Sequence, residues 1–163
     1  MILEQMEIQK VRMEDENAMG KIRIVKTDRS TKERLNGAVF EIHAAEDIVT
    51  PDGTVQLKKG ELADTITTGI EIEDMEEKGA GIACSKELFF GKYVITEKKP
   101  PVGYVLDQQS YPIDLAYEDQ DTPVVLKTLH LKNTSTELTI LKQDAETKEP
   151  LSGVRFTVRD SAM

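Results

Sequence analysis

Apolar residues recur at every second position in short runs along most of the chain. In Lys21-Ile-Arg-Ile-Val-Lys-Thr-Asp28, Ile22 and Ile24 fall on one side, and Gly91-Lys-Tyr-Val-Ile-Thr-Glu97 places Tyr93 and Ile95 together in the same way. A period of two is the signature of a half-buried β-strand. The runs are rich in Val, Ile, Thr and Tyr and are broken by turn chemistry at Pro51-Asp-Gly53, Lys59-Gly60, Gly91 and Pro100-Pro-Val-Gly103. The pattern predicts an all-β sandwich. One stretch, Glu71 to Lys78, has no such alternation and reads as a short helical turn or a mobile acidic loop. Its carboxylates lack the Asp-x-Asp-x-Asp-Gly spacing that would converge six or more oxygens on calcium, which favours a solvated loop over a metal site.

Sliding the chain along itself by 116 residues (137 minus 21) aligns Lys21-Ile-Arg-Ile-Val-Lys-Thr-Asp28 with Glu137-Leu-Thr-Ile-Leu-Lys-Gln-Asp144. The same shift aligns Leu35-Asn-Gly-Ala-Val-Phe40 with Leu151-Ser-Gly-Val-Arg-Phe156, and both copies carry Thr-Lys-Glu in the intervening turn. The chain is therefore expected to be a tandem array, with a complete module over 20–135 and the first two strands of a second over 136–163. Residues 1–19 are expected to be a linker or the tail of a preceding module. Asn17 precedes Lys26 by the interval at which Asn133 precedes Lys142, but Asp15 falls where Leu131 stands and spoils the apolar face.

Alternation also singles out polar residues on the core side. Lys26 shares a face with Ile22 and Ile24, Glu97 with Tyr93 and Ile95, and Asn133 with Leu129 and Leu131. A lone buried ammonium, carboxylate or carboxamide is costly, whereas three that converge satisfy one another. Burial drives a lysine toward its neutral, nucleophilic form and a carboxyl toward its protonated form. Neutral Lys26 could then add to the side-chain carbonyl of Asn133, with Glu97 hydrogen-bonding that carbonyl and carrying protons toward the departing ammonia. The product would be an isopeptide bond, formed once by the protein on itself. Each residue alone has a simpler home at a strand end, where Lys snorkels, Glu faces water and Asn opens a turn.

Composition narrows the alternatives. With 30 acidic and 21 basic side chains the net charge is −9, which disfavours nucleic acid. No apolar run reaches the roughly 20 residues of a membrane span, so no membrane insertion is expected. The first residues lack a basic start followed by an apolar stretch, and no LPxTG-like sorting motif lies near Met163, so the chain reads as a fragment. The single cysteine, Cys84, has no activating surroundings and reads as a small apolar residue. His43 and His130 have no nucleophile or metal-ligand spacing around them, so a hydrolase finds no support. Trp is absent and Tyr and Phe total eight (four of each), a poor supply for a sugar-stacking platform, though a protein partner stays open.

Four segments carry a resemblance: Ile24-Val-Lys-Thr-Asp28, Leu35-Asn-Gly-Ala-Val-Phe40, Leu88-Phe-Phe-Gly-Lys-Tyr-Val-Ile-Thr-Glu97 and Glu97-Lys-Lys-Pro-Pro-Val-Gly-Tyr104. Together they are similar to the collagen-adhesin B-type repeat, the SpaA-like, prealbumin-like module of Gram-positive surface adhesins and pilins. The Glu-x-x-x-Pro-x-Gly-Tyr box is the most specific element. The resemblance implies an immunoglobulin-like/prealbumin-like β-sandwich and an autocatalytic isopeptide bond from Lys26 to Asn133 with Glu97 assisting. It implies no enzyme and no cofactor. The expected function is a structural stalk module outside the cell, on the bacterial surface, with neighbouring modules as partners and no obligate oligomer. The rival is a module that binds a host extracellular matrix protein or glycan. In the second copy the matching lysine is Lys142, whose Glu and Asn partners would lie past Met163. Lys98 stands where Thr is common in the box, the region Asp64 to Lys86 is longer and more acidic than in a minimal repeat, and Tyr111-Pro-Ile-Asp114 does not fit the Tyr-Pro-x-Asn motif of polymerising pilins.

Overall fold

The computed structural model describes residues 19–70, 79–116, 124–137 and 139–157. Its strands are β1 (Met19–Asp28), β2 (Val39–Ala44), β3 (Ile48–Val49), β4 (Val55–Leu57), β5 (Leu62–Thr67), β6 (Ile82–Cys84), β7 (Leu88–Phe89), β8 (Gly91–Lys99), β9 (Ser110–Leu115) and β10 (Val124–Asn133). Two four-stranded sheets face one another. One runs β10-β1-β6, with β7 also on β1; the other runs β5-β2-β8-β9; β3 and β4 form a small separate hairpin. The fold is the expected all-β, prealbumin-like sandwich.

The alternation seen in the sequence sets the inner faces. Ile22, Ile24 and Lys26 of β1 are fully buried, as are Phe40 and Ile42 of β2 and Tyr93 and Ile95 of β8, and these side chains fill the space between the sheets. Fully burying one such apolar side chain is worth about 1.5–3 kcal/mol, so the inner faces hold the sheets together. Pro112 interrupts the alternating run of β9 at no cost to the fold because β9 is an edge strand. β1 and β10 run side by side and parallel, with Lys26 opposite Leu131 and Asp28 opposite Asn133. Parallel neighbours need a long crossover between them, and here almost the whole module supplies it.

The repeat is visible in hydrogen bonds. After β1, Asp28 Oδ1 accepts from the amides of Ser30 and Thr31 at 2.6 and 2.7 Å, and after the 116-residue shift Asp144 Oδ1 accepts from Glu146 and Thr147 at 2.9 Å each. Asp28 N donates to Glu33 O and Leu35 N to Lys26 O; Asp144 N donates to Glu149 O and Leu151 N to Lys142 O. Even the left-handed residues match, Lys32 with Lys148 (φ 66° and 63°) and Gly37 with Gly153 (φ 83° and 77°).

The C-terminal tail carries the repeated turn. Where two strands are expected in the tail, its described residues form this turn and a single bridge, Gln143 to Pro150, with no strand. The turn is encoded locally, but a strand is completed by its neighbours, and Ile140, Leu151 and Phe156 stay exposed where their counterparts Ile24, Leu35 and Phe40 are buried. Residues 1–18 with Asn17, the acidic stretch 71–78, Leu138 and Val158 lie outside the described residues.

Candidate functional site

Three strands deliver the three polar side chains to one place. β1 and β10 are adjacent, so Lys26 and Asn133 lie diagonally on the same inner face, and Glu97 reaches them from β8 in the facing sheet. All three are buried, at 0%, 4% and 2% exposure. Lys26 Nζ stands 3.1 Å from Glu97 Oε1 and 5.3 Å from the centroid of the Phe40 ring. Asn133 Nδ2 donates to Glu97 Oε2 at 2.9 Å and to Val105 O at 2.7 Å. Because the Val105 carbonyl can only accept, it fixes which end of the carboxamide faces Glu97. Asp107 N also donates to Glu97 Oε2, at 2.7 Å. The carboxyl of Glu97 thus bridges the lysine and the amide nitrogen, one oxygen to each.

Two features leave this cluster incompletely satisfied. Asn133 Oδ1 is buried without a hydrogen-bond partner, and Lys26 Nζ makes no well-aligned hydrogen bond despite its contact with Glu97. Burial pushes the Lys26 ammonium below its ordinary pKa, and the carboxylates of Glu97 and, more weakly, Asp107 oppose that fall without cancelling it. A buried ion pair gains its Coulomb energy against a desolvation cost of several kcal/mol per ion.

From the sequence, Glu97 is expected to meet the carbonyl of Asn133; the structure puts it on the amide nitrogen. A further polar residue, Asp28, is 4% exposed and lies on the same face two positions past Lys26. Strand parity was the signal for it. Val105 and Asp107 act through their backbone, and no side-chain pattern points to them. Elsewhere, Cys84 is buried on β6, its thiol pushed up by desolvation. His43 lies on β2, its ring nitrogens against Glu41 Oε2 and Gly60 O at 2.9 and 3.1 Å, and His130 is on β10.

Residues 20–129 match the family model of SpaA, a prealbumin-like fold domain. The chain belongs to this family. Among solved structures, this SpaA domain resembles the full-length major pilin SpaD from Corynebacterium diphtheriae at 21% identity and a TM-score of 0.51, covering 73% of this chain and 30% of that one. It resembles the Bacillus anthracis TIE protein at 18% identity and a TM-score of 0.50, covering 72% and 17%. The group B streptococcus pilus 2b backbone protein is 29% identical at a TM-score of 0.47, covering 71% and 41%. The domain therefore spans less than half of each of these chains, and the likenesses to SpaD and the TIE protein speak for the fold alone. No curated protein matches it.

Proposed function

We propose that this SpaA domain is a tension-carrying stalk module of a bacterial surface adhesin or pilus protein, braced by an amide bond that Lys26 and Asn133 form with the help of Glu97. The observation that carries the reading is the buried Glu97 carboxyl, with Oε1 at 3.1 Å from Lys26 Nζ and Oε2 at 2.9 Å from Asn133 Nδ2. Glu97 takes a proton from the ammonium, and the neutral amine attacks Cγ of Asn133. The carboxyl then gives its proton to Nδ2 and takes the second proton from Nζ. The Cγ–Nδ2 bond breaks, one ammonia leaves, the new Nζ–Cγ amide remains and Glu97 ends protonated. The reaction happens once per chain, so the module is structural and turns over no substrate.

The same reading divides the chain into a module over 20–135 and the start of another over 136–163, after a linker or tail over 1–19. It places the parent protein outside the cell with like modules as immediate neighbours; the name of the major pilin SpaD, whose structure shares the fold, supports this. An intact mass tests it. The folded chain is expected to weigh less than its sequence by one ammonia, with the loss mapping to a peptide pair joining Lys26 to Asn133, and Glu97→Ala is expected to keep the full mass. A folded parent chain at full sequence mass refutes the cross-link.

A further inference from the structure

The loop between β8 and β9 holds the two reacting groups from outside the sheets. Val105 O takes one hydrogen of Asn133 Nδ2 at 2.7 Å, and Asp107 N donates to Glu97 Oε2 at 2.7 Å. With Glu97 Oε2 taking the other hydrogen, both amide hydrogens of Asn133 are committed and the plane of the carboxamide is set. The loop is itself tied down at both ends. Val105 N donates to Thr134 O at 2.9 Å and Thr136 N to Gly103 O at 2.8 Å, so it clasps the chain where it leaves β10. At the other end the Asp107 carboxylate accepts from Gln109 N at 3.0 Å and, through Oδ2, from the Tyr111 hydroxyl at 2.5 Å. A groove of about 630 Å³, lined by Arg29, the loop and the end of β10, reaches Asn133 from the surface.

Resting on the cross-link reading above, we propose that Val105–Asp107 is a positioning strap for that reaction, with Asp107 as its side-chain anchor and the groove as the route by which ammonia leaves. The strap turns the amide so that its nitrogen, the leaving group, faces the proton donor, at a residue that lines the groove, while Oδ1 has no hydrogen-bond partner. A misplacement of about 1 Å in such an arrangement costs on the order of a hundredfold in rate. Asp107 also bears on Lys26 through its charge, together with Glu97 and Arg29, so its two effects need separating.

The experiment follows ammonia loss by intact mass after refolding of the full chain and its variants over a range of pH, with circular dichroism as a check on folding. Asp107→Ala is expected to fold but to cross-link about ten- to a hundredfold more slowly at every pH. Asp107→Asn keeps an acceptor for Gln109 N and a partner for the Tyr111 hydroxyl, so it is expected to restore most of the rate. Its profile should shift toward lower pH, because losing the charge leaves the Lys26 amine neutral at lower pH; the restored rate reports the anchor and the shift reports the charge, which separates the two effects. If Asp107→Ala does not fold, Tyr111→Phe decides, since it removes one hydroxyl and keeps the ring. Native rates in the folded Ala variant, or in Tyr111→Phe where Ala fails to fold, overturn the strap and leave the cross-link standing. A parent chain that never loses ammonia overturns both.

Discussion

The parallel pairing of β1 with β10 gives the proposed bond a mechanical consequence of calculable size. Tension applied at the Met19 end of β1 and at the chain leaving Asn133 shears the two strands against each other. With Lys26 bonded to Asn133, load passes along β1 to Lys26 and out through Asn133, and the 106 residues between them (27 through 132) stay slack. The perturbation that isolates this is Lys26→Met combined with Glu97→Gln. It removes the nucleophile and leaves no uncompensated buried charge, which by itself would cost about 3–5 kcal/mol. The Gln carbonyl can still accept from Asn133 Nδ2 and Asp107 N. Without the bond the intervening residues, at about 3.3–3.6 Å each, release ~350–380 Å of contour length on unfolding. The unfolded chain also regains the entropy that closing the loop had removed, worth about 4.8 kcal/mol in the chain-entropy description. Single-molecule pulling between residues 19 and 135 is expected to show that extension for the double variant and none of it for the parent. Urea denaturation is expected to show the variant less stable by up to that energy. A parent that extends by the full length, or a variant that matches the parent in both assays, refutes the load path.

Gly81→Ala is expected to destabilise the module by more than about 1 kcal/mol, measured as a lower urea midpoint, because Gly81 holds a left-handed φ of 72° and a Cβ there would meet Lys26 O at 2.6 Å and Leu35 N at 2.9 Å. Asp28 and Asp144 offer a comparison within one chain. Hydrogen bonds from the amides of Thr31 and Ser30 hold the Asp28 carboxyl below its usual range. With the folded pKa below the unfolded value of about 3.9, its contribution is fully present at neutral pH and is lost as pH falls through the folded pKa. Asp28→Ala is therefore expected to lower stability at pH 7 and to flatten its decline on acidification. Asp144→Ala, in the same turn on the uncovered tail, is expected to leave the urea midpoint of the module unchanged; equal effects from the two would show that the tail is part of the module's core.

Local pattern alone determined which side of each strand faces inward. The period of two in β1, β8 and β10 assigned Lys26, Glu97 and Asn133 to the core side, because a residue's face depends only on parity. The turn after β1 was local as well: an Asp accepting from the amides two and three residues on, with a left-handed lysine one position later, recurs in the tail at Asp144 without any sheet to support it. Strand partners were not legible. That β10 returns to lie parallel beside β1, and that Glu97 approaches from the opposite sheet, depends on how the two sheets stack, and no residue in either strand encodes its neighbour. The hold of Val105 and Asp107 on Asn133 and Glu97 is backbone chemistry, identical in every residue but proline, so only the path of the loop could reveal it. The tail shows the same division: its turn forms as the sequence dictates, while Ile140, Leu151 and Phe156 remain exposed because burying them takes a second sheet.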